Sequence, residues 1–231
     1  MSKKKIEKVE ERVEGVEQAL TKAEQLLETY RKQILWAVGV IVGVVLLYMA
    51  FQRYYVERRS AEAAEQMFPA ERFFENDSWE LALDGDGNNM GLIDIINEYT
   101  FTPSARLAKY YAGICYLRLG DYENAISYLS KFKSKDIILS SMALGCIGDA
   151  YAETGDVDKA VAFYKKAANN RKNDFTSPFY LLRAGILLEQ QERYREADEL
   201  YRRIRNEYAN TTEGRNIGKY ITRVAIKQNH Q

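Results

Sequence analysis

Apolar and polar positions along the chain fall into three regimes. From Ile6 to Ile34 the apolar residues recur in alternating steps of 3 and 4: Ile6, Val9, Val13, Val16, Leu20, Ala23, Leu27, Tyr30 and Ile34, with charges between them. A period of 3.5 residues is the a/d pattern of a helix–helix seam. It predicts a helical, coiled-coil-forming tail over residues 1–33 that pairs with itself or with a partner. Residues 34–51, ILWAVGVIVGVVLLYMAF, then contain no charge and no proline. At 1.5 Å per residue such a helix is roughly 27 Å long, about the hydrocarbon thickness of a bilayer. It predicts a transmembrane helix over residues 34–52. Beyond it helix-period patterning resumes to the end of the chain, with a linker helix and an irregular unit over 53–104, regular helix pairs over 105–210 and a last helix over 211–231.

Details of the apolar run support an uncleaved anchor. Trp36 lies near one end, and Tyr48, Tyr54 and Tyr55 lie at the other, as the two membrane interfaces favour. No small-x-small cleavage site follows the run, because Tyr48 occupies the position in Tyr48-Met49-Ala50 where a small residue is needed. Gly39 and Gly43 form a G-x-x-x-G spacing that permits close helix approach, as a dimer face requires. The tail holds eight Lys and Arg, with Arg31 and Lys32 beside the membrane; Arg53, Arg58 and Arg59 follow the run. The basic excess in the tail predicts a cytoplasmic N-terminus and an external C-terminal domain.

The third regime repeats itself. Gly113, Tyr116, Gly120, Asp121, Tyr122 and Ala125 recur as Gly148, Tyr151, Gly155, Asp156, Val157 and Ala160. They recur again, less completely, as Gly185, Leu188, Glu192, Arg193, Tyr194 and Ala197. Each block reads as two helices joined by a tight turn. The small first residue lets the first helix lie close to the second, Gly120 and Gly155 end it with φ > 0, and Asp121 and Asp156 cap the second. Ala125, Ala160 and Ala197 keep the crossing tight, and Tyr116 and Tyr151 are expected to fill the space between units. Thr102-Pro103 and Thr176-Ser177-Pro178 read as N-caps followed by proline. Upstream, Ala70, Phe73, Trp79 and Ala82 repeat the 0, 3, 9 and 12 offsets of Gly113, Tyr116, Tyr122 and Ala125. The segment Asp84–Asn89 interrupts this copy, and Leu92–Tyr99 resumes as a helix whose end, Ile96-Asn97-Glu98-Tyr99, echoes Ile204–Tyr208. A helix over about Glu213–Lys227 is expected to close the stack with Arg215, Lys219, Arg223 and Lys227 on its polar face.

These blocks resemble the tetratricopeptide repeat, a helix–turn–helix unit of 34 residues. The fold class expected is all-α: one transmembrane helix, then an α-solenoid of three clear repeats, one degenerate upstream repeat and a C-terminal capping helix. The resemblance implies a concave wall lined by the first helices. Its repeat positions are Leu107, Tyr110, Ile114 and Leu117; then Met142, Gly145, Asp149 and Ala152; then Phe179, Leu182, Ile186 and Glu189. The carboxylate clamp by which some members of the family grip chaperone C-termini is missing. Its positions hold Tyr110, Ile114, Cys146 and Phe179, and only Arg183 matches. A mostly apolar wall implies apolar peptide segments as ligands.

Composition narrows the chemistry. The chain has 231 residues, with 33 Lys and Arg against 33 Asp and Glu, so no overall basic charge invites nucleic acid. Gly numbers 14 and Pro 3, a composition suited to helices. The one histidine, His230, is next to last, so internal zinc sites and His-based triads have no candidate. No nucleophile–base pair, phosphate loop or metal cluster is visible, which disfavours an enzyme and implies no cofactor. Asp84, Asp86 and Asn88 have the 1, 3, 5 spacing of a calcium loop, but Asn89 and Ile95 stand where it needs Gly and Glu, so a turn is expected. Cys115 and Cys146 read as buried free thiols, with a disulfide between them the alternative for a domain outside the cytoplasm.

In layout the whole chain is similar to the YfgM-type ancillary subunits of the bacterial SecYEG translocon. That resemblance implies a single-pass inner-membrane protein with periplasmic repeats, working beside a membrane-anchored chaperone near newly exported clients. Two other readings stay open: a cell-envelope assembly or division scaffold, and a membrane-anchored cytosolic adaptor of reversed topology.

Overall fold

A computed structural model describes residues 30–229. The heptad positions before Tyr30, with Val13 and Leu20 among them, lie outside the described residues. The chain divides into two compact units, one ending at Glu57 and the other starting at Arg58.

The described part of the first unit is helix α1, residues 30–50, followed by one turn of π-helix, Phe51–Val56. Leu35, Trp36 and Leu47 are among its many exposed apolar side chains. This is one helix long and apolar enough to cross a membrane.

The second unit is helical throughout, and among the described residues there is no strand. Its helices are α2 (Glu57–Glu75), α3 (Trp79–Asp84), α4 (Leu92–Glu98), α5 (Pro103–Arg118), α6 (Tyr122–Lys131), α7 (Ile137–Glu153), α8 (Val157–Asn170), α9 (Thr176–Gln190), α10 (Tyr194–Glu207), α11 (Thr212–Asn216) and α12 (Gly218–Gln228). Three antiparallel pairs of tetratricopeptide type, α5/α6, α7/α8 and α9/α10, stack in sequence order, and α12 packs on α10.

The repeat register has a direct backbone signature. At each turn between paired helices one residue is left-handed: Gly120 (φ 80°), Gly155 (φ 79°) and Glu192 (φ 59°). Asp77 (φ 57°) does the same between α2 and α3. It lies seven residues after Ala70, just as Gly120 lies seven after Gly113. All four turns carry the same double hydrogen bond of a Schellman motif: for example, Asp121 N–H donates to Tyr116 O and Gly120 N–H to Leu117 O, and Ser78 N–H donates to Phe73 O and Asp77 N–H to Phe74 O. The upstream copy is therefore a true helix pair with a shortened second helix.

Packing follows the small residues. A Cβ on Gly113 would stand 2.5 Å from Leu129 Cγ, one on Gly148 2.8 Å from the Tyr164 ring, and one on Gly185 inside contact distance of the Tyr201 ring. Each of those partners is on the second helix of the same pair. Ala82, Ala125, Ala160 and Ala197 are all fully buried at the crossings. Tyr116 and Tyr151 pack within a pair as well as between pairs. They stack on Tyr128 (5.3 Å) and Phe163 (5.4 Å) of their own second helices, and Tyr151 also packs against the cores on both sides of it.

Caps are mixed. Thr102, Asp121 and Asp156 accept backbone N–H groups as expected. Thr176 does not cap α9, because it already lies inside the helix. Asn173 does that work: its Oδ1 accepts from Phe175 N–H (2.9 Å) and Thr176 N–H (2.7 Å). The closing helix is also two pieces, broken at Ile217, which is buried. The echo between the ends of α4 and α10 extends into the next turns, where Thr102 and Thr211 hydroxyls both donate to the tyrosine carbonyl three residues back and accept from the N–H three residues on. The α11–α12 segment thus begins as another first helix would.

Candidate functional site

The inner wall is built by α5, α7 and α9, whose N-terminal halves are separated by single repeat steps. Leu107, Ile114 and Leu117 on α5, Met142 and Ala152 on α7, and Leu182 and Ile186 on α9 are half-buried. Phe179 is 42 % exposed. Tyr110 corrects the expectation of a continuous open wall. It is 4 % exposed and packs between the Tyr111 and Phe132 rings at 5.8 and 5.2 Å, so it belongs to the core. Gly145 has no role as wall either, because the Tyr180 ring occupies the space a side chain would need.

Two carboxylates interrupt the apolar surface, and both are engaged. Tyr164 Oη donates to Asp149 Oδ1 at 2.7 Å, and Arg183 Nη2 pairs with the same oxygen at 2.7 Å. One unit on, Tyr201 Oη donates to Glu189 Oε2 at 3.2 Å, and Arg223 grips Glu189 with two hydrogen bonds of 2.7 Å. Lys227 adds a pair at 3.5 Å. The two triads share a tyrosine position, while their carboxylates stand at different positions of the repeat, one residue after Gly148 and four after Gly185. A carboxylate on a first helix meets a tyrosine four residues after the crossing alanine of its own second helix, and then an arginine from the following first-helix position. Arg183, the single match to a carboxylate clamp, is thereby committed to joining α7 to α9.

Environment sets the charges differently in the two triads. Burial raises the Asp149 carboxyl above its ordinary range, against the Tyr164 hydrogen bond and the Arg183 charge. At Glu189 burial also pushes upward, but the Arg223 hydrogen bonds and charge prevail and lower it. Burial pushes both the Cys115 and Cys146 thiols up to about 12. Both cysteines are free thiols.

A concavity lies at the end of this wall. Met142, Phe175, Thr176, Phe179 and Tyr180 form one side; Asn210, Thr211, Thr212, Glu213 and Arg215 form the other, enclosing about 520 Å³. Phe175, 70 % exposed, stands at its mouth. The sequence places Met142 and Phe179 here, but Phe175 and the α10–α11 segment escape a reading confined to wall positions. The signal available was Phe175 itself, a large apolar residue in an otherwise polar loop.

The Asp84–Asn89 segment is a closed turn. Asp86 Oδ1 accepts from Asn88 N–H (2.9 Å) and Asn89 N–H (2.7 Å), and Gly85 bridges to Met90. These hydrogen bonds, those of Asn89 foremost, hold the Asp86 carboxyl below its ordinary range. Among the described residues no group of three His, Cys, Asp or Glu could hold a metal ion.

Comparison with known proteins agrees with the helix-pair register. No curated protein matches the chain. Family models described as tetratricopeptide repeat match residues 107–136, 144–174 and 180–211. Each match begins within a first helix and runs past the end of the second, so the three stacked pairs are tetratricopeptide repeats, units whose general use is to bind proteins.

Proposed function

We propose that this chain is a single-pass inner-membrane protein whose repeats, on the periplasmic side, hold apolar segments of newly exported chains or of a partner chaperone. In this reading it is an ancillary subunit of the protein-export translocon and catalyses no reaction. The observation that carries it is the cleft beside the first turn of α9. Exposed Phe175 and Phe179, with Met142 behind them, make the apolar side of a pocket of the size that takes one or two large side chains, its other side being polar. Exposed apolar surface of this kind marks contact sites. The charge-free run 34–51 supports the anchor, and the basic tail supports a cytoplasmic N-terminus. Gly39 and Gly43 have nothing within 4 Å of an added Cβ, which leaves that helix face open to a second single-pass helix.

A photo-crosslinking residue at Phe179, placed in the full chain in native membranes, tests this reading. Adducts identified as translocon subunits, a membrane chaperone or exported chains are expected. Adducts confined to cytosolic proteins would reverse the topology and remove the export role.

A further inference from the structure

Neighbouring first helices are joined at equivalent positions, and one of these joints lacks a part. Between α7 and α9, Asp149 stands one residue after Gly148 and is met by Arg183, two residues before Gly185. The Arg183 guanidinium also lies 5.2 Å from the Tyr164 ring and 5.8 Å from the Phe179 ring, so a carboxylate and two aromatic faces hold one cation. Between α5 and α7 the corresponding positions hold Ile114 and Cys146, an apolar match. Between α2 and α5 they hold Glu71, one residue after Ala70, and Tyr111, two before Gly113. The carboxylate is kept there and its arginine is not. The tyrosine that would donate to it has no counterpart either, because α3 ends at Asp84, two residues short of the position equivalent to Tyr164.

Glu71 is half-buried, and Glu75 follows it by one helical turn. Burial raises the Glu71 carboxyl above its ordinary range, and the Glu75 charge adds to the rise. Burial, then the Glu71 and Glu75 charges, do the same to the Tyr111 hydroxyl. A half-buried carboxylate beside a like charge is unfavourable until a cation joins it. The charge that bears on Glu71 is that of Glu75, not of a cation. Arg118 on α5 acts instead on Asp149 and Cys146 of α7, and Arg183 is paired with Asp149. Arg72, the next residue of α2, lines a separate hollow with Phe68 and Asn89. Aromatic faces are in place beside the carboxylates. The Phe74 ring lies 4.7 Å from that of Tyr111 and 5.2 Å from that of Trp79, and all three are half-buried.

We propose that Glu71 and Glu75, with the Phe74 and Tyr111 rings, take a lysine or arginine side chain of the polypeptide segment whose large apolar residue sits in the Phe175–Phe179 cleft. The proposal rests on the reading of that cleft as a binding site, and it adds what else the segment must carry. Charge complementarity selects the occupant. An acidic segment would meet two carboxylates, and a wholly apolar one would leave Glu71 without a counter-ion. A basic side chain supplies the charge that Arg183 supplies to Asp149, and aromatic faces favour it further. The geometry also sets a spacing. From α2 through α5 and α7 to α9 there are three steps between first helices, each about 8–10 Å. Glu71 stands one residue after Ala70 and Phe179 six before Gly185, a difference of about 10 Å along the helix axes. The diagonal is about 30 Å, or roughly nine residues of extended chain. The segment therefore carries its basic residue about nine positions from its bulky apolar one.

The test is fluorescence anisotropy on the full chain in phosphatidylcholine nanodiscs, with empty discs as the blank. The probes are fluorescein-labelled peptides of glycine and serine that carry an arginine pair about nine residues from a phenylalanine pair. Controls replace the arginines by serine, the arginines by glutamate, or the phenylalanines by serine. The arginine peptide is expected to bind about tenfold tighter than its serine control, and the glutamate peptide weakest of all. The gain should shrink as salt is raised. Glu71→Gln with Glu75→Gln should abolish the gain and leave the affinity of the serine control unchanged. That variant removes a repulsion, so its melting temperature should not fall. Equal binding of the arginine, serine and glutamate peptides overturns the proposal, and so does a gain that survives the double glutamine variant. If replacing the phenylalanines changes nothing while the glutamine variant still loses the gain, the cleft reading fails and the cation site stands. If no peptide binds, both fail.

Discussion

Two of the four turns between paired helices contain glycine and two do not, yet all four follow the same path. In α5/α6 and α7/α8 the left-handed residue is Gly120 or Gly155, and an aspartate caps the next helix. In α2/α3 and α9/α10 the same positions hold Asp77 with Ser78 and Glu192 with Arg193, and neither following helix has a side-chain cap. A non-glycine residue in this conformation costs about 1–2 kcal/mol. The end pairs bear that cost because their crossings already dictate the turn. Once Ala82 or Ala197 is seated against its first helix, the chain between has one way to return. Favourable turn residues ease this geometry but do not create it.

The strongest test of that conclusion is at the crossing. Gly185→Ala would drive a methyl group into the ring of Tyr201, which is fully buried and held by Glu189. A loss of about 3 kcal/mol is expected from overpacking, read as a drop in melting temperature of the full chain in detergent. Gly113→Ala meets the more adaptable Leu129 instead. There a helix-propensity gain of about 1 kcal/mol offsets part of the overpacking, and a smaller loss of about 1 kcal/mol is expected. Equal losses at both sites would mean that the partner ring is not what fixes the crossing.

A smaller effect separates the last pair from the others. Glu189→Gln removes the charge that Arg223 and Lys227 share and should cost about 2 kcal/mol. The same contribution depends on pH. Because the folded carboxyl titrates below its ordinary value of 4.5, its stabilisation is complete above that value and is lost as pH falls through the lower, folded one. Guanidinium titrations at several pH values between 3 and 7 should show acid sensitivity that the glutamine variant lacks. Smallest is the turn itself. Gly155→Ala should destabilise by about 1 kcal/mol, while Glu192→Gly should stabilise by about 0.5 kcal/mol once the glycine's greater unfolded freedom is subtracted. If Glu192→Gly destabilises, the left-handed turn is not strained.

Much of the fold was legible because its determinants are local. Small residues at fixed offsets, Gly-Asp turns and proline after threonine each act within a few positions, and even the shortened upstream pair could be found from Ala70, Phe73, Trp79 and Ala82. The offset to Asp86 also explains why Ala70 has a Cβ where the other pairs have glycine. The residue that would face it, 16 positions on, falls in the Asp84–Asn89 turn, beyond the end of α3. What could not be read depends on distance in sequence. Asp149 with Tyr164 and Arg183, and Glu189 with Tyr201 and Arg223, assemble from three helices each. Wall positions alone suggested open apolar surface where Tyr110 is buried by Phe132. The cleft needed the α10–α11 segment, whose approach to α9 no periodicity encodes.

The bond between Glu189 and Arg223 also bears on how long the array is. A stacked repeat presents on its last face the same surface that received its predecessor, and a second copy placed there would recruit a third, giving an open filament. Here α12 covers α10 and inserts Arg223 where the next repeat's arginine would reach. Val224 and Ile221 fill the apolar half of that face, and Lys227 joins Arg223 at Glu189. The last repeat's outer face is thus covered by α12 of the same chain.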